Sequence, residues 1–143
     1  MPGDTVIPST GETREISKSD GPIVFLSSSI KGNEDLRSSL VTFFEKHGYV
    51  PIHIDSHSAG PHTGKPGIAE MCLNGVRHSD LFFLVLSHRY GSTDQKDDEG
   101  NSISLTEREF LVADKLNKRI MVYCRDEVWC VFRVFRKNRW CPN

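Results

Sequence analysis

Leu81-Phe82-Phe83-Leu84-Val85-Leu86 is the strongest strand signal in the chain, and it stops at Ser87-His88-Arg89-Tyr90-Gly91. A short run that is apolar at every position suits a strand covered on both faces, as in the middle of a parallel sheet. Toward the N-terminus, Ile68, Met71, Cys72 and Val76 put one apolar face on a helix, preceded by a loop over 55–67. Before the loop, Val50–Ile54 reads as a second strand, and Pro51 suits an edge position. Further back, Leu36, Leu40, Phe43, Phe44 and His47 follow a helical spacing. Asn33 is placed to cap that helix, Glu34 and Asp35 suit its positive end, and Gly48 suits its stop. Pro22–Leu26 is another continuous apolar run, ending in Ser27-Ser28-Ser29. Toward the C-terminus, the polar stretch 92–104 reads as a mobile loop. Ser104 and Glu107 then have capping-box spacing, so a helix begins there, with Leu105, Phe110, Val112, Ala113 and Leu116 as its apolar positions. Arg119–Cys124 is a fourth strand. The order β-α-β-α-β-α-β predicts an α/β domain with a parallel sheet and helices on its faces.

The 143 residues suffice for one such domain, with 22–126 as the folded part. Residues 1–21 are Ser, Thr, Gly, Pro and charge, and read as a flexible tail. In 127–143, Val128, Val131, Phe132 and Phe135 have helical spacing, but the residue types suit a strand; a helix or edge element, or a truncated continuation, is expected. The net charge of −1 gives no global pull toward nucleic acid, an anionic membrane or an acidic substrate. No apolar run approaches a membrane span, and the first residues lack the apolar core of a secretory signal. The four cysteines have no paired spacing; Cys72 and Cys124 read as small core residues, and a reducing, cytoplasmic setting follows.

In an open parallel sheet, ligands bind beyond the carboxyl ends of the strands. Ser27, Ser28 and Ser29, Asp55, Ser87, Arg89, Tyr90 and Gly91 fall there, with Arg125. The start of the third helix faces the same side and brings Glu107 and Glu109 near the crevice. A carboxylate there could bind ribose hydroxyls, stabilise a sugar oxocarbenium ion or attack the anomeric carbon. Alternatively, both glutamates merely complement a helix N-terminus. Two residues apart, they cannot share a helix face. Arg89 could hold a phosphate through its planar fork, Tyr90 could stack on a base, and Gly91 allows close approach to the backbone. Equally, Arg89 could pair with a carboxylate and Tyr90 cover the sheet edge.

The stretch 24–52, with Ser27-Ser28-Ser29, Asp35, Arg37, Leu40 and Gly48, then Arg89-Tyr90-Gly91, Ser104, Thr106, Glu107, Glu109, Phe110, Ala113, Lys118 and Ile120, resembles the TIR-like domains of an uncharacterised family, domain of unknown function 4062. That family lies in the wider group of TIR domains and nucleoside 2-deoxyribosyltransferases. The resemblance implies a three-layer flavodoxin-like fold with a four- to five-stranded, mainly parallel sheet. It also implies Glu109 as the catalytic acid, with Glu107 competing, because Glu109 to Lys118 has the spacing of the transferases' nucleophilic stretch. Those transferases carry an Asp-Ser-Gly run ahead of the glutamate, where this chain has Asn101–Thr106, which favours cleavage of NAD over transfer. The implied function is cleavage of the N-glycosidic bond of NAD or a related nucleotide in signalling or immune defence, without a metal or separate cofactor. The alternative is a non-catalytic interaction or nucleotide-sensing module. The implied partners are a small nucleotide, a second copy of the chain, and an NTPase signalling protein as fusion or partner.

Three other patterns point elsewhere. Gly60–Pro66 has one residue too few for a P-loop and a proline where Ser or Thr is required. His53, Asp55, His57 and His62 lack zinc spacing. The basic and aromatic residues from Trp129 to Trp140 suit an amphipathic element better than a nucleic-acid platform.

Overall fold

The computed structural model describes residues 20–29, 31–54 and 67–128. Its elements are β1 (Ile23–Ser27), α1 (Glu34–Lys46), β2 (Val50–Ile52), α2 (Ile68–His78), β3 (Leu81–Leu86), β4 (Gln95–Lys96), β5 (Ser102–Ile103), α3 (Leu105–Lys115) and β6 (Arg119–Cys124). β1, β2, β3 and β6 form one parallel sheet in the order β2-β1-β3-β6. Thus β3 is interior, and Pro51 lies on the edge strand β2, where a missing N–H costs least.

The pleat sorts the apolar residues into two cores. Ile23, Phe25, Phe82 and Leu84 join Cys72 and Val76 of α2 and Ala113 of α3 on one face. Val24, Leu26, Leu81, Phe83 and Val85 join Phe44 of α1 on the other. This period of two is why both runs read as continuously apolar: each has helices on both sides. Phe25 and Phe82 stack at 5.9 Å between ring centroids, and burying each ring contributes about 1.5–3 kcal/mol. Gly75 lets α2 settle on this pair, because a Cβ there would lie 2.7 Å from the Phe25 ring.

Several expectations change. The stretch 92–104, read as a mobile loop, contains the antiparallel hairpin β4–β5. Asp97 organises its turn by accepting from the backbone N–H of Glu99 and Asn101 and from the Asn101 side chain. Phe43, counted in the core stripe of α1, is 52% exposed and lies against His47; Arg37 is buried on that stripe instead. Leu116 is exposed just past the end of α3, and Cys124 is only half-buried near the end of the outer strand β6. β2 ends at Ile52. The described sheet has four strands, all parallel, in keeping with the expected four- to five-stranded, mainly parallel sheet. Asp55, most of the 55–67 loop, the tail up to residue 19 and the segment from 129 onward lie outside the described residues. No described helix is long and apolar enough to cross a membrane.

Candidate active site

From β1 the chain moves outward to β2, then returns to β3 on the other side of β1. The crevice of such a sheet opens at this switch point, beyond the ends of β1 and β3. Ser27 and Ser28 stand at the end of β1 and point to opposite faces. The Ser27 hydroxyl donates to Glu109 Oε2 at 2.5 Å on the α3 side. The Ser28 hydroxyl accepts from Arg37 Nη1 at 2.8 Å on the α1 side. Arg37 also donates to the carbonyls of Ser28 and Ile54, tying the end of β1 to the chain after β2.

Glu109 is 5% exposed, in the second turn of α3. Burial pushes its carboxyl up to about 7, against the hydrogen bonds from Ser27 and Cys72 and the positive charge of Arg37. The same burial, with the Glu109 charge and hydrogen bond, raises the Cys72 thiol and keeps it protonated. Such a carboxyl changes charge near neutral pH, a property matched to acid–base and nucleophilic work.

Glu107 has a different role. The Ser104 hydroxyl accepts from the Glu107 N–H at 3.1 Å, as the capping spacing predicts. The Glu107 carboxylate, however, accepts from the Tyr90 hydroxyl, and that hydroxyl accepts from the Ser104 N–H at 3.4 Å. Tyr90 is thus inserted into the capping box and bound to the first turn of α3. Glu107 and Glu109 sit on different faces of the helix, and only Glu109 meets Ser27.

Among the described residues, two adjoining cavities open around Ser29 and Arg89 at this end of the sheet, beside a smaller one of about 290 Å³ between the start of α1 and the end of β6. The larger, about 580 Å³, has Ser28, Ser29, Lys31, Cys72, Arg89 and Thr106 in its wall. The second, about 470 Å³, lies over Leu84, Leu86, Phe110 and Val122. They share Ser29, Arg89, Tyr90, Ser104 and Thr106. Ser87 lines the second, Gly91 the first, and Gly91 takes φ +92° at the turn. The Arg89 side chain crosses Gly32, where a Cβ would lie 3.6 Å from Nε. Ser27 and Glu109 are in neither wall, and Cys72 is in the wall of the larger cavity.

Asn33, read as a side-chain cap, makes no cap hydrogen bond. Its amide crosses the switch point to Ser29 and to the Ser87 hydroxyl, while its Oδ1 accepts from Arg125 at 3.1 Å. Lys118, part of the glutamate-to-lysine spacing, lies at the opposite end of the sheet, where its ammonium caps the Arg77 and Ser79 carbonyls. Sequence reasoning missed Arg37 and Cys72 as site residues. The signal for Arg37 was a charged residue four positions after Asn33, inside the apolar stripe of α1. For Cys72 it was a polarisable side chain on the α2 face turned toward α3. No described cluster of His, Cys, Asp or Glu could hold a metal ion.

The backbone is similar to a 2-desoxiribosyltransferase from Leishmania mexicana, with TM-score 0.53 and 14% identity over 74% of this chain and 66% of that one. This shows a shared fold, and this chain spans about two thirds of that protein's length. A CMP N-glycosidase, BcmB, from Clostridium botulinum aligns with TM-score 0.43 and 17% identity over 71% of each chain. No curated protein matches the sequence. Residues 23–129 match the family described as domain of unknown function (DUF4062), and with that match covering most of the sequence, the chain belongs to this family.

Proposed function

We propose that this chain is a TIR-like domain that cleaves the N-glycosidic bond of NAD or a related nucleotide, in a signalling or immune-defence setting in the cytoplasm. One observation carries the reading: a carboxyl at the switch point, Glu109, held by Ser27 at 2.5 Å and raised to about 7 beside the larger cavity. The fold, shared with a desoxiribosyltransferase, is consistent with chemistry at a sugar. In the reaction, the C1′–N bond breaks and its electron pair leaves with the nicotinamide ring. The ionised Glu109 stabilises the positive charge on the ribose or adds to it. Water then supplies the new hydroxyl and releases a proton. Neither metal nor separate cofactor enters this scheme. Arg89 and Lys31 in the wall of the larger cavity would face phosphate, and Tyr90 a ring. Self-association, and attachment to an NTPase signalling protein, would complete the setting.

A second reading, a non-catalytic nucleotide-sensing module, is favoured by the burial of Glu109, which lines neither cavity. The test is NAD consumption by the purified chain, at high concentration with a crowding agent, beside Glu109→Gln. Nicotinamide released by the wild type and lost in the variant supports the enzyme. A folded, self-associated and inert wild type supports the module.

A further inference from the structure

Just beyond the ends of β1 and β3, two hydroxyls share one amide. The Ser29 and Ser87 hydroxyl oxygens lie 3.2 Å apart. Each stands 3.1 Å from Asn33 Nδ2, which also donates to the Ser29 carbonyl at 2.9 Å. Asn33 is buried, and its Oδ1 accepts from Arg125 Nη1 at 3.1 Å. Two of these partners work in one direction only: a guanidinium donates and a carbonyl accepts. Together they fix which way the amide faces, so its nitrogen gives hydrogens to the serines and takes none. The hydroxyls can then donate only to each other. They bring two hydrogens, and the bond between them uses one. Among the described residues, the other hydrogen has no protein acceptor. The hydroxyl that keeps it accepts both from Asn33 and from its neighbour, which fills its two lone pairs, so it meets a ligand only as a donor. The direction of the Ser29–Ser87 bond does not matter, because both residues line the second cavity. Arg89 is in the same wall, and Ser29 and Arg89 also line the larger cavity.

We propose that Asn33, anchored by Arg125, is a positioning residue: it keeps one hydroxyl hydrogen of the Ser29–Ser87 pair turned to the cavity, where that hydrogen and the Arg89 guanidinium take a phosphoryl oxygen of a nucleotide. A site that offers only hydrogens, one neutral and one charged, suits an oxygen that only accepts. A phosphoryl oxygen is such a group, whereas a ribose hydroxyl brings a hydrogen that these donors leave without an acceptor. Arg125 is itself held by Glu127, with Nε 3.0 Å from Oε1, and it donates to the Gly32 carbonyl beside Asn33. The ends of β1, β3 and β6 and the start of α1 thus combine to set one donor. The inference rests on reading the cavities as a nucleotide site; it does not depend on whether Glu109 cleaves the nucleotide.

The test is calorimetric binding of AMP and of adenosine, which differ by the phosphate. It compares the wild type with Ser29→Ala, Ser87→Ala, the double alanine variant and Asn33→Asp, each checked for folding by thermal melting. The readout is the Kd for adenosine divided by the Kd for AMP, a ratio that lost stability alone does not move. The wild type binds AMP more tightly. Either single alanine leaves one hydroxyl hydrogen for the ligand and keeps the ratio. The double variant has none, and its ratio falls about tenfold, as expected for one hydrogen bond to a charged group. In Asn33→Asp a carboxylate accepts where the amide donated, both hydroxyl hydrogens turn to it, and the ratio falls at least as far. An unchanged ratio in the double variant overturns the inference, whether or not Asn33→Asp folds. So does a single alanine that loses as much as the pair, or a folded wild type that binds the two probes alike or binds neither. A wild type that releases nicotinamide from NAD but shows no preference for AMP keeps the proposed function and refutes this inference. A ratio that falls as described, in a chain that cleaves no nucleotide, does the reverse.

Discussion

At Glu109, burial and hydrogen bonding oppose each other. Burial wins, and the carboxyl keeps its proton up to about pH 7 instead of the ordinary 4.5. In the unfolded chain the same group ionises earlier, so between these two values the native state holds the extra proton. Stability conferred at low pH therefore declines as pH rises from about 4.5 to about 7 and then levels off, a change of about 3 kcal/mol from this one group. Glu109→Gln cannot ionise, so its denaturant midpoint should lack this component of the slope; urea titrations at pH 5 and pH 8 check it. The residue scale is also where the sequence was least legible. Ser27 and Ser28 are adjacent and chemically identical, yet the pleat sends one to Glu109 and the other to Arg37. Which serine serves which partner depends on the register of β1 against two helices, and a linear pattern does not carry that information.

The elements follow the sequence where a local rule decides them. Ser104 caps α3 because its hydroxyl reaches the Glu107 N–H, and Gly48 follows α1 with φ +78°. Gly75 is different, because its reason lies across the interface. Alanine there gains up to about 1 kcal/mol in helix propensity. It also drives a methyl to within 2.7 Å of the Phe25 ring, which is stacked on Phe82. Overpacking of this kind costs about 1–3 kcal/mol, so Gly75→Ala should lower the denaturant midpoint despite its better helix propensity. The β4–β5 hairpin escaped the sequence because its two-residue strands are too short for a periodic signal. Side-chain acceptance by Asp97 organises its turn, and these hydrogen bonds hold the Asp97 carboxyl below its usual range. Asp97→Ala should therefore speed amide exchange at Glu99 and Asn101, while the exchange of α3 amides beyond its first turn stays unchanged. Equal exchange in both proteins would show that the turn stands without the carboxylate.

For the whole molecule, the alternation of apolar runs and helical stripes was sufficient to identify a parallel α/β sheet with β3 inside it. The strand order was not written in that alternation. It sets the switch point between β1 and β3 and so brings Ser29, Asn33 and Ser87 together. Placing the candidate residues beyond the strand ends was legible because ligand crevices at that end are a property of the fold class. That the two glutamates face different ways was legible from their spacing; that Glu109 is the one meeting Ser27 required the packing of α3 against β1. The central claim is that Glu109, ionising near neutral pH, carries glycosidic cleavage. The most direct measurement is base release from NAD, NADP and CMP as a function of pH, in the wild type and in Glu109→Gln of equal thermal stability. The account predicts release that rises through a single midpoint near pH 7 in the wild type and is absent from the variant. Release at the wild-type rate in Glu109→Gln, or a folded wild type inert toward all three at every pH, would contradict it.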